Sequence, residues 1–258
     1  MPAPRLYYEL AHLWPLLSPP QDYAAEAAFI DQLLEQRLGP APAGRRQSIL
    51  ELGGGGGHLL GHLTERFDAA AVDLSQPMLD ACQRMNPTVQ THLGDMRIVR
   101  LGRSFHAVLA HDAADYMVTE QDLCALCTTA SAHLEPGGLL LVGPTYVQES
   151  FIDHEAVRDF QTDGDTELAY VSYVHRPHRS SATFERVVVI LIRQRGRLCI
   201  EEDRATCGLF STCTWLRVMG EAGFEAQTLA FTQDGLPVDN PAAELTEPAR
   251  LILGVRRS

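Results

Sequence analysis

The sequence predicts an α/β protein: a mostly parallel sheet with helices on both faces, interrupted by an antiparallel β insert. Three observations carry that prediction. First, Ile49-Leu50-Glu51-Leu52 is a short apolar run leading into five glycines, Gly53 to Gly57, and then into the helical pattern His58-Leu59-Leu60-Gly61-His62-Leu63. Second, short apolar runs alternate with helix-periodic ones from there to Gly143, the order that builds parallel strands joined by crossover helices. Third, between Pro144 and about Phe210 extended runs follow one another without helices, which implies antiparallel pairing.

The chain opens on Tyr7-Tyr8-Glu9-Leu10-Ala11 and Trp14-Pro15-Leu16-Leu17-Ser18-Pro19-Pro20, an aromatic and proline-rich prelude. Helical periodicity then runs from Gln21 through Tyr23 to Leu38, where Gly39-Pro40 stops it. The first strand follows, with its glycine loop. Glycine is costly in backbone entropy and is kept where the chain turns tightly or a ligand must approach the backbone. The dinucleotide fingerprint G-x-G-x-x-G would need a third glycine at position 58, and His58 stands there, which argues against a nicotinamide-dependent oxidoreductase. The tighter pattern E-x-G-x-G-x-G is met by Glu51, Gly53, Gly55 and Gly57.

A helix from His58 to about Arg66 feeds the second strand, Ala69-Ala70-Ala71-Val72-Asp73. Asp73 lies 20 positions after Gly53, the distance at which a strand-end carboxylate meets the ribose of a bound nucleoside. Ser75 is placed to cap the next helix, with Pro77 in its first turn. Val89 to Met96 gives a third strand ending in Gly94-Asp95-Met96, and Phe105 to Asp112 a fourth. In a parallel sheet ligands bind beyond the carboxyl ends of the strands, so Ala113-Ala114-Asp115-Tyr116-Met117 should line the place where they meet. Thr119 and Asp122 mark the start of a helix to about His133, and Pro136-Gly137-Gly138 precedes a fifth strand ending at Gly143.

In the insert, Leu168 to His175, Thr183 to Gln194 and Leu198 to Arg204 read as strands, with a turn at Arg195-Gly196. A helix beginning at Thr214 and stopped by Gly223, then strands at Ala226 to Phe231 and Leu251 to Val255, complete the chain. The expected organisation is a lid and helix over 1–40, a cofactor-binding core over 41–145, an insert over 146–212 and a C-terminal completion of the core over 213–258. The insert's exposed edges suit a homodimer.

The 258 residues are 45% hydrophobic and 21% charged, enough to bury one sizeable core. The net charge of -12 repels a phosphate backbone, which argues against nucleic acid as a substrate. No apolar run reaches the ~18 residues of a membrane span, and the expected location is the cytoplasm. The six cysteines are scattered, Cys124-Ala125-Leu126-Cys127 lies inside a predicted helix without a second pair, and no metal site is expected.

With these motifs the chain resembles the class I S-adenosylmethionine-dependent methyltransferases. The resemblance implies a Rossmann-like, seven-stranded methyltransferase sheet with helices on both faces, and S-adenosyl-L-methionine as cofactor. It implies that Gly53, Gly55 and Gly57 pack against the methionyl part and that Glu51 accepts from its ammonium group. Asp73 would take the ribose hydroxyls, Leu74 and Met78 would flank the adenine, and Asp95 and the Met96 backbone would bind the adenine edge. Tyr8 and Tyr23 match the lid positions that contact the methionyl end, and Ala110 and His111 lie beside it. More narrowly, Asp22-Tyr23-Ala24 and Gly208-Leu209-Phe210 before Trp215-Leu216 are similar to small-molecule methyltransferases, including relatives of the N,N-dimethyltransferases of nucleotide-linked amino sugars. There Tyr116 falls where that group carries a His or Tyr near the acceptor amine, while Ala113-Ala114-Asp115 departs from its Ser-Ser-x-Gly pattern.

The expected reaction is methyl transfer to an N or O atom of a small metabolite by in-line displacement. The leaving group is already activated by its positive charge, so alignment and water exclusion are the main demands. A base helps where the acceptor arrives protonated, and the candidates are Tyr116, then His111, with Asp112 and Asp115 beside them. The alternative is a protein of the same fold that binds the cofactor but catalyses cyclisation or hydroxylation, or regulates.

Overall fold

The computed structural model describes residues 4–231 and 249–257. Three 3-10 turns and a short helix α1 (Trp14–Leu17) lead into α2 (Ala24–Leu38), which ends at Gly39 as the glycine-proline pair requires. Next come β1 (Gln47–Leu52), α3 (His58–Leu63), β2 (Phe67–Asp73), α4 (Gln76–Met85), β3 (Gln90–Leu93) and β4 (Phe105–His111). A 3-10 turn (Ala113–Tyr116), α5 (Glu120–His133) and β5 (Leu134–Gly143) finish the first half. The insert is β6 (Ala156–Asp163), β7 (Thr166–His175), β8 (Thr183–Gln194) and β9 (Arg197–Gly208). Then α6 (Thr212–Glu221), β10 (Phe224–Phe231) and β11 (Ala249–Arg256) close the fold.

Seven strands form one sheet in the order β10-β11-β5-β4-β1-β2-β3, with β11 antiparallel to both its neighbours and the rest parallel. Both faces are covered, which is why β1, β2 and β4 read as nearly unbroken apolar runs rather than alternating ones. Leu50, Leu52, Val72, Phe105 and Val108 pack against α5 and α6 through Leu123, Leu126, Trp215 and Val218. Ile49, Ala69, Ala71, Ala107 and Leu109 pack on the other side against Ile30 and Leu34 of α2 and Leu59, Leu60 and Leu63 of α3.

The starts of α4, α5 and α6 are capped by side chains, and among the described residues those of α1, α2 and α3 are not. Ser75 Oγ accepts from the Met78 N–H, and Thr119 and Asp122 form a reciprocal capping box. The last helix begins two residues earlier than its sequence suggests, because Ser211, not a residue beside Thr214, supplies the capping oxygen.

β6 to β9 form a separate antiparallel sheet. Its inner face carries Leu168, Val188 and Ile190, which pack against Leu6, Leu10, Leu13 and Leu17 of the prelude. Arg5 ties the same surfaces together, its N–H donating to Asp203 at 2.8 Å and its guanidinium pairing with Glu201 at 3.0 Å. The prelude is thus a roof resting on the insert.

Candidate active site

The tips of β1, β2 and β4 and the prelude roof enclose a cavity of about 390 Å³. Its floor is the glycine loop. Gly53 and Gly54 donate their N–H groups to the Val72 carbonyl at 2.8 and 3.0 Å, bending the chain sharply over the end of β2. Gly53 sits at φ +81°, and a Cβ there would lie 2.2 Å from that of Ala113, so the position excludes any side chain. Gly57, at φ +74°, starts α3 and faces Cys82.

Asp73 stands where the spacing put it. Its Oδ2 accepts from the Gly55 N–H at 2.9 Å and its Oδ1 from the Ser75 N–H at 2.8 Å, leaving each oxygen further lone pairs. Burial raises its pKa, and the backbone donors oppose that. Met78 is buried beside it and Leu74 exposed, while Gly94 and Met96 line the far wall. Asp95 turns away, holding Arg97 at 2.6 Å, and Arg97 reaches Asp122 at 2.9 Å. The Arg97 fork lowers the Asp95 pKa against partial burial.

Glu51 is 4% exposed, and its Oε2 has no hydrogen-bond partner among the described residues. Burial first, then the nearby Asp112, Asp73 and Glu26, push its pKa up to about 8 against the opposing charge of His111. His111 lies behind the cavity wall. Its Nε2 is 2.8 Å from Glu26 Oε2 and its Nδ1 3.5 Å from Asp112 Oδ2. Burial disfavours its charge, but Asp112, Glu26 and Glu51 together outweigh burial and raise its pKa to about 10. At neutral pH it is an imidazolium with both nitrogens facing carboxylates.

Asp112 has φ +48° and ψ -47°, a conformation that costs a non-glycine residue about 1 to 3 kcal/mol. Its N–H donates to the Gly143 carbonyl at 2.9 Å and its side chain lines the cavity. Tyr116 donates to Tyr7 Oη at 2.7 Å, and Arg186 of β8 donates to both phenols, to Tyr7 at 3.0 Å. Burial holds the Tyr116 hydroxyl well above the usual phenol range. Asp115 is buried, accepts from the Thr145 N–H at 3.0 Å, and is pushed by burial up to about 7.

Of the residues singled out from sequence, Tyr8, Gly53, Gly55, Asp73, Leu74, Met78, Met96 and Tyr116 line one cavity. Tyr23, Glu51, Gly57, Asp95, Ala110 and His111 do not. Tyr23 bonds Ser18 at 2.7 Å and sets its ring against His58 and His111, while Ala110 is fully buried in the core beneath the tip of β4. Tyr7, Trp14, Thr145 and Arg186 line the cavity unannounced. Tyr7 and Trp14 stood in the aromatic prelude, but nothing in the run around Arg186 set it apart. Among the described residues no cluster of His, Cys, Asp and Glu could hold a metal ion.

A loop without side chains, a carboxylate with free lone pairs beyond it, an apolar slot made by Leu74, Met78 and Met96, and an unpartnered Glu51 oxygen fit a nucleoside with a charged amino-acid tail. That combination at the tips of a sheet in this order defines a class I S-adenosylmethionine-dependent methyltransferase. Residues 49–138 match the methyltransferase domain family. The chain is 33% identical, over 85% of its length and 85% of the relative's, to the dTDP-3-amino-3,4,6-trideoxy-alpha-D-glucopyranose N,N-dimethyltransferase of Streptomyces venezuelae. It is 32% identical to the dTDP-4-amino-2,3,4,6-tetradeoxy-D-glucose N,N-dimethyltransferase of Saccharopolyspora spinosa, over 66% of this chain and 67% of that one. The X-ray structure of the sugar N-methyltransferase KedS8 from a Streptoalloteichus species superposes with a TM-score of 0.78 at 25% identity, covering 97% of this chain and 92% of that one. The chain belongs to the class I S-adenosylmethionine-dependent methyltransferases. It is an enzyme that uses S-adenosyl-L-methionine to methylate a small molecule.

Proposed function

We propose that the acceptor is an amino group on a nucleotide-linked sugar, methylated once or twice. The observation that carries this reading is the Arg186 guanidinium. Among the described residues it is the only basic side chain lining the cavity, it bonds two phenols, and no carboxylate lies within salt-bridge distance. A partly buried cation that feels Asp115 only at a distance and has no ion-pair partner in contact is a seat for an anion, and the phosphates of a sugar nucleotide supply one.

In this reading Gly53, Gly55 and Gly57 shape the methionyl seat and Glu51 accepts from the ammonium group. Asp73 takes the ribose, Leu74 and Met78 flank the adenine, and the Met96 N–H takes its edge, with Asp95 joining it only where its carboxylate is shared between Arg97 and the adenine amino group. Tyr8 and Tyr23 serve the roof, and Ala110 and His111 the wall behind. When bound, S-adenosylmethionine supplies a sulfonium methyl whose departure leaves a neutral thioether. The chain excludes water and fixes the line of attack. Tyr116, kept protonated by burial and bonded to Tyr7 and Arg186, is a wall of the acceptor site that positions the acceptor rather than a base.

The divisions 1–40, 41–145, 146–212 and 213–258 then correspond to roof, cofactor core, acceptor and assembly insert, and core completion. We place the enzyme in the cytoplasm as a homodimer. On the outward face of the second sheet, Phe160, Ala169, Leu191 and Ile200 form one cross-strand row, with Phe160 57% and Ile200 65% exposed. The next row runs Arg158, Val171, Val189, Glu202, a cation at one end and an anion at the other. A two-fold axis through that face would bring each Arg158 to the partner's acidic end. Ile200→Glu should give a monomer by sedimentation velocity; a wild-type monomer would overturn the assembly.

The substrate test is incubation with S-adenosylmethionine and dTDP-linked 3-amino and 4-amino deoxysugars, alongside their hydroxyl counterparts. One and then two methyl masses on an amino sugar are expected. Methylation of hydroxyl compounds alone would reject the reading.

A further inference from the structure

We propose that Asp112 holds the acceptor as its ammonium form and takes the proton that methylation releases, while His111 and Glu26 fix the carboxylate in place. This rests on the acceptor being an amine.

Among the described residues two carboxylates line the cavity, Asp73 and Asp112. Asp73 is committed to backbone donors on the cofactor side, at 2.8 and 2.9 Å. Asp112 is not. Its contacts are long, 3.4 Å from the Thr145 hydroxyl and 3.5 Å from His111 Nδ1, so its lone pairs are available to an incoming N–H. Its side chain is 54% exposed, which lets it return a proton to water between two rounds of transfer.

The rival groups are occupied. Tyr116 gives its proton to Tyr7 and accepts from Arg186. His111 is outside the cavity, its two nitrogens facing Glu26 and Asp112. Asp115 is buried against the Thr145 backbone and does not line the cavity.

The backbone points the same way. Residue 112 takes a positive φ that glycine would adopt freely, yet the chain keeps an aspartate there. That conformation turns the carboxylate toward the cavity, away from the packed face of β4, where His111 meets Glu26. The groups acting on Asp112 are His111 on β4, Tyr23 before α2, Glu51 at the β1 tip and Asp115 in the following turn, with Glu26 behind His111 and Arg186 across the cavity. His111 is the cation against it, with Nδ1 3.5 Å from Asp112 Oδ2, and it aims the carboxylate.

The step balances. The acceptor ammonium passes a proton to Asp112, and its freed lone pair forms the N–C bond as the C–S bond breaks, with that electron pair left on sulfur. The product is a methylammonium, which can give Asp112 the next proton.

The test compares wild type with Asp112→Asn, Asp112→Gly and His111→Gln. Asp112→Gly removes the carboxylate while relieving the backbone, so its loss of rate cannot be a failure to fold. Calorimetric affinity for S-adenosylhomocysteine should stay within about twofold in the two Asp112 variants, while kcat/KM at pH 7 falls about a hundredfold. The deficit should close as pH rises past the amine's own pKa and neutral acceptor becomes abundant. His111→Gln, which removes the group that aims the carboxylate, should lower kcat/KM at pH 7 while leaving affinity for S-adenosylhomocysteine within about twofold. A deficit equal at every pH, or none, would overturn the proposal. If wild type methylates an amine that is not a sugar nucleotide, the sugar reading falls and Asp112 is judged on that amine. If it methylates only hydroxyl groups, the Asp112 assignment falls.

Discussion

Asp73 and Gly55 are joined by a 2.9 Å hydrogen bond from the loop N–H to the carboxylate, so the tip of β2 holds the loop after β1 in shape. The same carboxylate restrains Ser75 and hence the start of α4. Asp73→Ala removes both restraints and the ribose acceptor together. Cofactor affinity should fall at least tenfold by calorimetry, a loss of ~1.4 kcal/mol or more. Wild-type affinity would contradict the ribose assignment.

Gly53→Ala puts a methyl group 2.2 Å from the Ala113 Cβ at a backbone angle of φ +81°. Neither atom is the end of a flexible chain, so the loop must shift. The expected result is loss of measurable S-adenosylhomocysteine binding with a thermal midpoint lowered by a few degrees, as a strain of roughly 1 to 2 kcal/mol would produce.

Glu51 makes a signed prediction. Its folded pKa, raised to about 8 by burial, lies above that of a carboxyl in the unfolded chain, so between those values the folded protein holds a proton the unfolded chain has lost. Its contribution to stability is therefore full at low pH and is lost as pH rises to about 8. Glu51→Gln should raise stability at pH 8 on the order of 2 kcal/mol relative to wild type and change it little at pH 4. If the cofactor ammonium pairs with Glu51, binding at pH 7 should release a proton, read from calorimetry in buffers of different ionisation enthalpy.

Tyr116→Phe deletes the hydroxyl shared by Tyr7 and Arg186, leaving Arg186 with Tyr7 at 3.0 Å. Turnover should fall about tenfold with cofactor affinity unchanged. An unaltered rate would remove Tyr116 from the acceptor site.

Most of the core was legible because its strands are buried on both faces and its helices carry their own start signals. Ser75, Thr119 and Asp122 cap where their side-chain chemistry says they should. β6 escaped notice because Ala156 to Asp163 is an exposed edge strand, mostly polar, that no buried face obliges to alternate. Arg186 was hidden for the opposite reason. It interrupts the inner face of β8 next to Val187-Val188-Val189-Ile190, and only the pairing with Tyr7 and Tyr116, far apart in the chain, gives it meaning. Asp95 shows a third limit, since sequence gives a carboxylate its place but not the arginine that claims it.

The leucines of the prelude sit on the sheet that carries Arg186, not on the one that carries the glycine loop. The cover and the Arg186 wall of the cavity are therefore one mechanical body. The same cover is also fastened to the nucleoside side, where Ser75 Oγ donates to the Tyr7 carbonyl and the Tyr8 hydroxyl donates to the Leu74 carbonyl at 3.3 Å. One short stretch of chain thus touches both halves of the chamber, so a change of occupant on either side is felt by the other through it.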